Sequence, residues 1–275
     1  MRSMRYNLEL FCRPRPFECG TLTLWSNAYI AGNVLKKHID GSIDSGSRKS
    51  TTLDLSSLWI AEHSGIKADI LDMGCGPGLY GNCLGKMIGS YTGIDISPYQ
   101  IAYAKEHNSS SDNTRYHVCD FHKWQTKQQF DMILFMYAVY SFYPFEERIS
   151  LLNNVKGALK PGGCVMIEVF TPEHYNRRKD SSDWQYIEKG GFWKPEPYIE
   201  LNRFSRYRDD LILIQAGMIS DNTVDIWNSW IELFQIQKIE SELKSVGFTD
   251  FSYYGSCTGE EYTSSSEVLC VIAKL

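Results

Sequence analysis

Three carboxylates recur at the ends of short apolar runs: Asp72 in "ADILDM", Asp95 in "YTGIDI" and Asp120 in "RYHVCD". Between the first two lies Gly74-Cys75-Gly76-Pro77-Gly78-Leu79-Tyr80-Gly81, whose last six residues match the G-x-G-x-x-G dinucleotide pattern. A glycine-rich turn lets any nucleotide-type ligand approach the backbone closely. The neighbouring residues narrow the choice. Asp72 beside the glycines would repel a pyrophosphate and welcome an ammonium or sulfonium. Pro77 has no N–H to give a phosphate. Asp95 is placed to accept hydrogen bonds from both hydroxyls of a ribose, and Asp120 is an acceptor suited to an exocyclic amine. These positions could therefore bind a cationic ribonucleoside that carries no phosphate.

The elements that must position these residues alternate from Leu53 to Phe170 in the pattern of a parallel sheet with helices on both faces. Thr51 and Asp54 read as a capping box opening a helix that runs to Ser64 and ends at Gly65. After the strand "ADILDM" and the glycine loop, a helix is expected from about Leu79 to Met87, then the strand "YTGIDI". Ser97-Pro98-Tyr99-Gln100 is a complete helix start, with serine at the N-cap, proline at N1 and glutamine at N3. That helix should reach about His107. "RYHVCD" and "FDMILFM" give the third and fourth strands. Phe145 to Lys160 is helical by its spacing of Ile149, Leu152, Val155 and Leu159. Pro161-Gly162-Gly163 then stops it before the fifth strand, "CVMIEVF".

Beyond Thr171, "PYIELNRFSRY", "LILIQAGMIS" and "TVDIWNSW" predict three antiparallel strands with turns between them. A helix from about Gln237 to Ser245, closed by Gly247, leads to "FTDFSYYG" and "EVLCVIAKL", which can pair as a hairpin finishing the sheet. Upstream, one amphipathic helix spans about Asn27 to Ile39, before the flexible "DGSIDSGS". There is no internal repeat.

The ordered set "LDMGCGPG", "TGIDIS", "VCDF", "FDMILFMYAVYSF" and "LKPGGCVMIEVF" resembles the class I S-adenosylmethionine-dependent methyltransferases, over roughly Ile66 to Phe170, and the likeness extends to small-molecule enzymes of bacterial type. The resemblance implies an α/β, Rossmann-like class I methyltransferase fold. Its mostly parallel seven-stranded sheet would end in an antiparallel C-terminal hairpin, with an N-terminal helical lid and an antiparallel β insertion after the fifth strand. It implies one domain over 1–275: a lid segment (1–48), a cofactor-binding core (49–171), a substrate-covering insertion (172–231) and a C-terminal helix and hairpin (232–275). The cofactor would be S-adenosyl-L-methionine, leaving as S-adenosyl-L-homocysteine. Asp72, Gly74, Cys75 and Gly76 would line its methionine end and Asp95 its ribose. Ile96 would pack on adenine, Asp120 would take the adenine amine, and the Phe121 backbone a ring nitrogen. Met136 and Tyr137 would flank the cofactor, and Trp25 and Tyr29 would cover it.

Methyl transfer needs alignment and exclusion of water more than a strong base. Tyr137, Tyr140, Phe142 and Tyr143 stand near where acceptor and sulfonium should meet, and aromatic faces there can favour a cation. Tyr137, Tyr140 and His174 form the candidate catalytic set; Glu168, Glu173 and His122 are further basic candidates. The aromatic-rich stretch from Trp184 to Trp230, with Trp193 and Phe204, would roof a pocket for a compact acceptor, and Arg203, Arg206 and Arg208 could bind a carboxylate on it. The alternatives are a nicotinamide-dependent oxidoreductase and a non-catalytic S-adenosylmethionine-binding protein.

The chain has 275 residues, 43% hydrophobic and 22% charged, with a net charge of -5. That balance gives no electrostatic footprint for a phosphate backbone, so no nucleic-acid partner is expected. The longest apolar run, Met132 to Tyr140, is about half the ~18 residues that span a bilayer. The opening residues lead into no signal-peptide core, so no membrane partner and a cytoplasmic address are expected. Eight cysteines without a C-x-x-C pair read as buried reduced thiols and not as a metal site. The expected partner is a small-molecule acceptor, with the protein a monomer or homodimer.

Overall fold

The computed structural model of the chain describes residues 12–25, 27–107, 112–221 and 223–275; residues 1–11 of the expected lid segment lie outside them. Five strands pair in parallel: β1 (Asp69–Met73), β2 (Ser90–Asp95), β3 (Thr114–Val118), β4 (Phe130–Phe135) and β5 (Leu159–Phe170). At the far edge β10 (Asp250–Tyr254) and β11 (Val268–Lys274) form an antiparallel hairpin, with β11 antiparallel to β5. The resulting order is β10-β11-β5-β4-β1-β2-β3. It reverses direction between β1 and β4, and a ligand crevice opens beyond the strand ends at such a switch point.

Alternation along the strands sorts side chains onto the two faces. Leu71, Ile133 and Phe135 face α5 (Phe145–Ala158) and α6 (Ile236–Ser245), where Leu152, Val155 and Leu243 fill the core. Ile70, Met132 and Leu134 face the other way. There they meet Leu53 and Ile60 of α2 (Ser50–Ser64), Leu84 of α3 (Leu79–Leu84) and Ile101 of α4 (Pro98–His107). Each such side chain, fully buried, contributes about 1.5–3 kcal/mol.

Several boundaries differ from expectation for local reasons. α2 begins at Ser50 with Lys49 as N-cap and no side-chain cap bond, so Thr51 and Asp54 form no capping box. Asp44 instead accepts the Lys49 N–H at 2.8 Å, which pins the supposedly flexible loop to the helix start. α3 stops at Leu84 because Gly85 takes over as its C-cap. α4 starts as expected, with Ser97 Oγ accepting the Gln100 N–H at 3.4 Å, but the Gln100 side-chain atoms have no partner among the described residues. Pro161-Gly162-Gly163 do not terminate a helix; they lie inside β5, where the register with β4 shifts and Gly162 takes φ +78°. Only a residue without Cβ fits easily at that bulge.

The segment after β5 forms a second, antiparallel sheet in the order β6-β7-β8-β9: β6 (Ser181–Ile187), β7 (Tyr198–Arg208), β8 (Leu211–Ile219) and β9 (Val224–Glu232). Three strands were expected. β6 carried no signal because it is the edge strand and is exposed along nearly its whole length. One face of this sheet packs inward through two clusters. Phe204, Ile212 and Ile231 meet Ala138 and Phe170, while Tyr198, Ala216 and Met218 meet Ile30 and Val34 of α1 (Ala28–Ile39). The outward face is crossed by the segment before α1: Phe17 packs on Trp230, and the Leu22 N–H bonds to the Ile226 carbonyl at 2.9 Å. The N-terminal part is thus a strap on the insertion.

Candidate functional site

The carboxyl ends of β1 and β2 and the turn after β3 bring the three carboxylates around the glycine loop. Gly74, Gly76 and Gly78 take φ of +83°, +54° and +75°, which favours glycine. The N–H groups of Gly74 and Cys75 both bond to the Ile94 carbonyl, at 2.8 and 3.0 Å, folding the loop onto the tip of β2. Asp95 receives it there: Oδ2 accepts the Gly76 N–H at 2.9 Å and Oδ1 the Ser97 N–H at 2.8 Å. Burial raises the Asp95 pKa, and these two donors act against the rise. Each carboxylate oxygen can accept more than one bond, so a ribose diol still finds acceptors. Ile96, next along, is 49% exposed, an apolar surface open to a flat ring.

Asp72 is buried in β1 and accepts the Tyr91 hydroxyl at 2.5 Å. Burial pushes its pKa up to about 7; the Tyr91 bond lowers it and the Asp95 charge raises it. Asp120 accepts the His122 N–H at 3.0 Å and pairs with Lys123 at 3.2 Å. The Phe121 ring turns into the core, edge-on to Phe135 and Tyr143. The Cys75 thiol packs down on the sheet, where a Cβ on Gly93 would sit 2.7 Å from its Sγ. Only its backbone lines the loop. Met136 is buried in the core cluster with Leu134 and Tyr80.

Tyr137 and His174 come together and Tyr140 does not. The Tyr137 ring lies edge-on to Phe170 at 6.2 Å, and the His174 ring stacks on the same Phe170 at 4.0 Å. Burial lowers the His174 pKa, against the pull of Glu267, whose carboxylate is 3.6 Å away. Tyr140 is fully buried, and its hydroxyl bonds to Glu242 at 2.7 Å within a cluster completed by Arg148. It fastens the turn after β4 to α6 and has no place in the reacting centre. Trp25 also departs from expectation: it packs with Ile30, Trp193, Tyr198 and Met218, closing the gap between α1 and the insertion. Tyr29 likewise reaches outward, donating to the Gly191 carbonyl at 2.7 Å.

Two residues beside the site, one of them over the glycine loop, had no signal in the sequence. His38, in the last turn of α1, lies 3.5 Å from where a Cβ on Gly76 would stand, and its Nδ1 bonds to Ser47 Oγ at 2.7 Å. Burial lowers its pKa to about 4. Arg48 closes the loop after α1 by pairing with Glu168. Neither has a sequence signal, because a lone histidine and a lone arginine in a polar loop show no spacing.

The inward face of the insertion is acidic between its two apolar clusters. Register places Asp183 and Gln185 of β6 beside Asn202 and Glu200 of β7, on the side of Phe204 and Tyr198. Asn202 donates to Asp183 at 3.2 Å. The arginines expected to bind a carboxylate are differently placed. Arg206 donates to the carbonyls of Tyr175 and Asp209, Arg208 pairs with Asp210 and Glu232, and Arg203 points outward by register. Tyr175 stands 5.8 Å from Phe204 and 6.1 Å from Phe170, joining this face to Tyr137 through a run of rings. Among the described residues no His, Cys, Asp and Glu side chains group as metal ligands, and no helix is long and apolar enough to cross a membrane.

A glycine loop at the switch point, a ribose-competent carboxylate and an exposed apolar side chain fit an adenosine-bearing cofactor. Residues 70–163 match the model of a methyltransferase-domain family. The fold is that of the Rossmann-like class I methyltransferases. No curated protein matches it. Among solved structures it is similar to the CcbJ methyltransferase of Streptomyces caelestis, at TM-score 0.66 and 11% identity over 90% of this chain and 99% of that one. A second is an S-adenosylmethionine-dependent methyltransferase of Clostridium acetobutylicum, at TM-score 0.65 and 13% identity over 89% and 97%. A third is CalS10 of Micromonospora echinaspora, described as an amino pentose methyltransferase of calicheamicin biosynthesis, at 0.57 and 15% over 92% and 99%.

Proposed function

We propose that the protein methylates an amine nitrogen on a compact, polar small molecule. The observation that carries this reading is the acidic patch of Asp183 and Glu200, with Asn202 and Gln185, on the insertion's inward face. Carboxylates there attract an ammonium-bearing molecule, and the rings of Tyr137, Phe170 and Tyr175 can hold a cation by its charge. The amino pentose substrate named for CalS10 agrees with this chemistry.

When bound, S-adenosylmethionine supplies a methyl group on a sulfonium sulfur, which the acceptor takes up by in-line displacement. Gly74 and Gly76 let the methionine end approach the backbone, Asp72 faces its positive charge, and Asp95 accepts from the ribose hydroxyls. Ile96 packs on adenine, Asp120 takes its amine, and the Phe121 backbone a ring nitrogen. Tyr137 borders the acceptor. His174, kept neutral by burial, accepts the proton that the acceptor nitrogen gives up. The lid and the insertion exclude water, so that residues 49–171 hold the cofactor and 172–231 cover the acceptor within one domain.

The test is transfer of labelled methyl from S-adenosylmethionine to matched panels of small amines, alcohols and thiols. Product confined to amines, with a KM raised by about fivefold or more in Glu200→Gln, supports the reading. Turnover of alcohols or thiols alone would contradict it.

A further inference from the structure

Arg48, Glu168 and Tyr137 come from separate parts of the chain and act as one unit. Arg48 ends the loop between α1 and α2, Glu168 lies inside β5, and Tyr137 follows β4. The Glu168 carboxylate has no exposure; Oε1 accepts from Arg48 Nη2 at 2.5 Å and Oε2 from the Tyr137 backbone N–H at 2.6 Å. A carboxylate this deep is tolerated only with such partners. The Arg48 guanidinium also stands 5.0 Å over the Tyr137 ring.

The turn that Glu168 holds is strained. Tyr137 and Ala138 take φ of +53° and +59°, a region that side-chain-bearing residues hold only where their surroundings impose it. The Ala138 N–H bonds to the Glu168 carbonyl at 3.1 Å, so one residue of β5 restrains both strained positions. The same turn touches the glycine loop, since a Cβ on Gly74 would lie 3.1 Å from both methyls of Val139. A continuous set of contacts therefore runs from the lid loop through a buried carboxylate to the strained turn and on to the cofactor loop.

We propose that Arg48 is a positioning residue: its ion pair with Glu168 latches the lid shut and thereby fixes Tyr137 beside the cofactor. Lid opening withdraws Arg48, which leaves the Glu168 charge buried with only the Tyr137 N–H and the Cys257 thiol beside it and releases the ring from its cation. The closed lid and the placed Tyr137 are then two aspects of one state. This rests on the cofactor reading above.

The experiment measures stopped-flow release of S-adenosylhomocysteine, together with fluorine NMR of a fluorotyrosine introduced at position 137 alone. It compares the unaltered protein with Arg48→Lys, Arg48→Met and the double variant Arg48→Met/Glu168→Gln. Arg48→Met should release the ligand at least about tenfold faster, with Arg48→Lys in between. The fluorine resonance, single in the unaltered protein, should broaden or split. The double variant leaves no buried charge alone, so its thermal stability should recover while its release stays fast and its resonance heterogeneous. A merely structural ion pair predicts the opposite: release within about twofold of the unaltered protein and an unchanged resonance in the double variant, which overturns the latch. Should the unaltered protein bind no S-adenosylhomocysteine, the cofactor reading fails, and an unchanged resonance across the variants still overturns the latch.

Discussion

Asp95 bonds to two backbone N–H groups and keeps acceptor capacity facing the crevice. Asp95→Ala should weaken S-adenosylhomocysteine binding by about 1–3 kcal/mol, the range for losing hydrogen bonds to a charged acceptor; unchanged affinity by titration calorimetry counts against the ribose role. Asp72 gives a pH signature. Burial lifts its pKa to about 7, above the ~3.9 of an unfolded chain, so the fold favours the protonated form. The stability from this group is complete below about pH 4 and is lost as pH rises to about 7. A cationic ligand favours the ionised form, so cofactor affinity should rise between about pH 6 and 8, with proton release. In Asp72→Asn that slope should vanish; a slope that persists removes Asp72 from the cofactor's neighbourhood. The three carboxylates were legible because each stands at or just beyond the carboxyl end of a strand-like segment, Asp72 and Asp95 after apolar residues and Asp120 after Val118-Cys119. His38 and Arg48 were not, since their roles depend on Gly76 and Glu168, far along the chain.

At the level of elements, β7, β8 and β9 could be read from their alternation, whereas β6 was missed, because its short alternation of Trp184 and Tyr186 with polar residues stays exposed and buries no face. The consequence for function is large, since β6 supplies Asp183 to the acidic patch. The strap before α1 was invisible for a similar reason: it is held to β9 by one backbone bond, by side-chain bonds of Thr21, Asn228 and Trp230 and by Phe17 on Trp230, none of which leaves a periodic stripe. Gly20 lies so close to β9 that an added Cβ would stand 2.1 Å from the Ile226 carbonyl oxygen. Gly20→Ala should therefore loosen the strap and lower the melting temperature of the protein, while cofactor affinity stays near its original value. Melting at the original temperature would show that the strap contributes nothing to the insertion's stability.

Across the whole molecule, one buried cluster joins the insertion to the core. Arg148, almost wholly buried, bonds to Glu242 of α6 at 2.6 and 3.0 Å and lies 3.5 Å from Glu232 at the end of β9. Arg148→Met would strand the buried Glu242 carboxylate, while Glu232 keeps Lys238 and Arg208, and should cost about 3–5 kcal/mol in urea unfolding, with most of it recovered when Glu242→Gln is added. A cost below about 1 kcal/mol, the level of an exposed pair, would mean the two sheets are held by apolar contacts alone. The parallel sheet and its hairpin were legible at this scale, because each strand is bounded by glycine, proline or a cap. The docking of insertion on core was not, because Arg148, Glu232 and Glu242 look like ordinary helix and strand charges until the fold buries them.

Calorimetric titration with S-adenosylhomocysteine, run beside NAD, tests the central claim most directly. The account predicts micromolar binding of the first, clearly weakened in Asp95→Ala, and no binding of the second. Binding of NAD in its place would mean that Gly76 to Gly81 is a dinucleotide loop after all and that Asp72, Pro77 and Asp120 do not select against it.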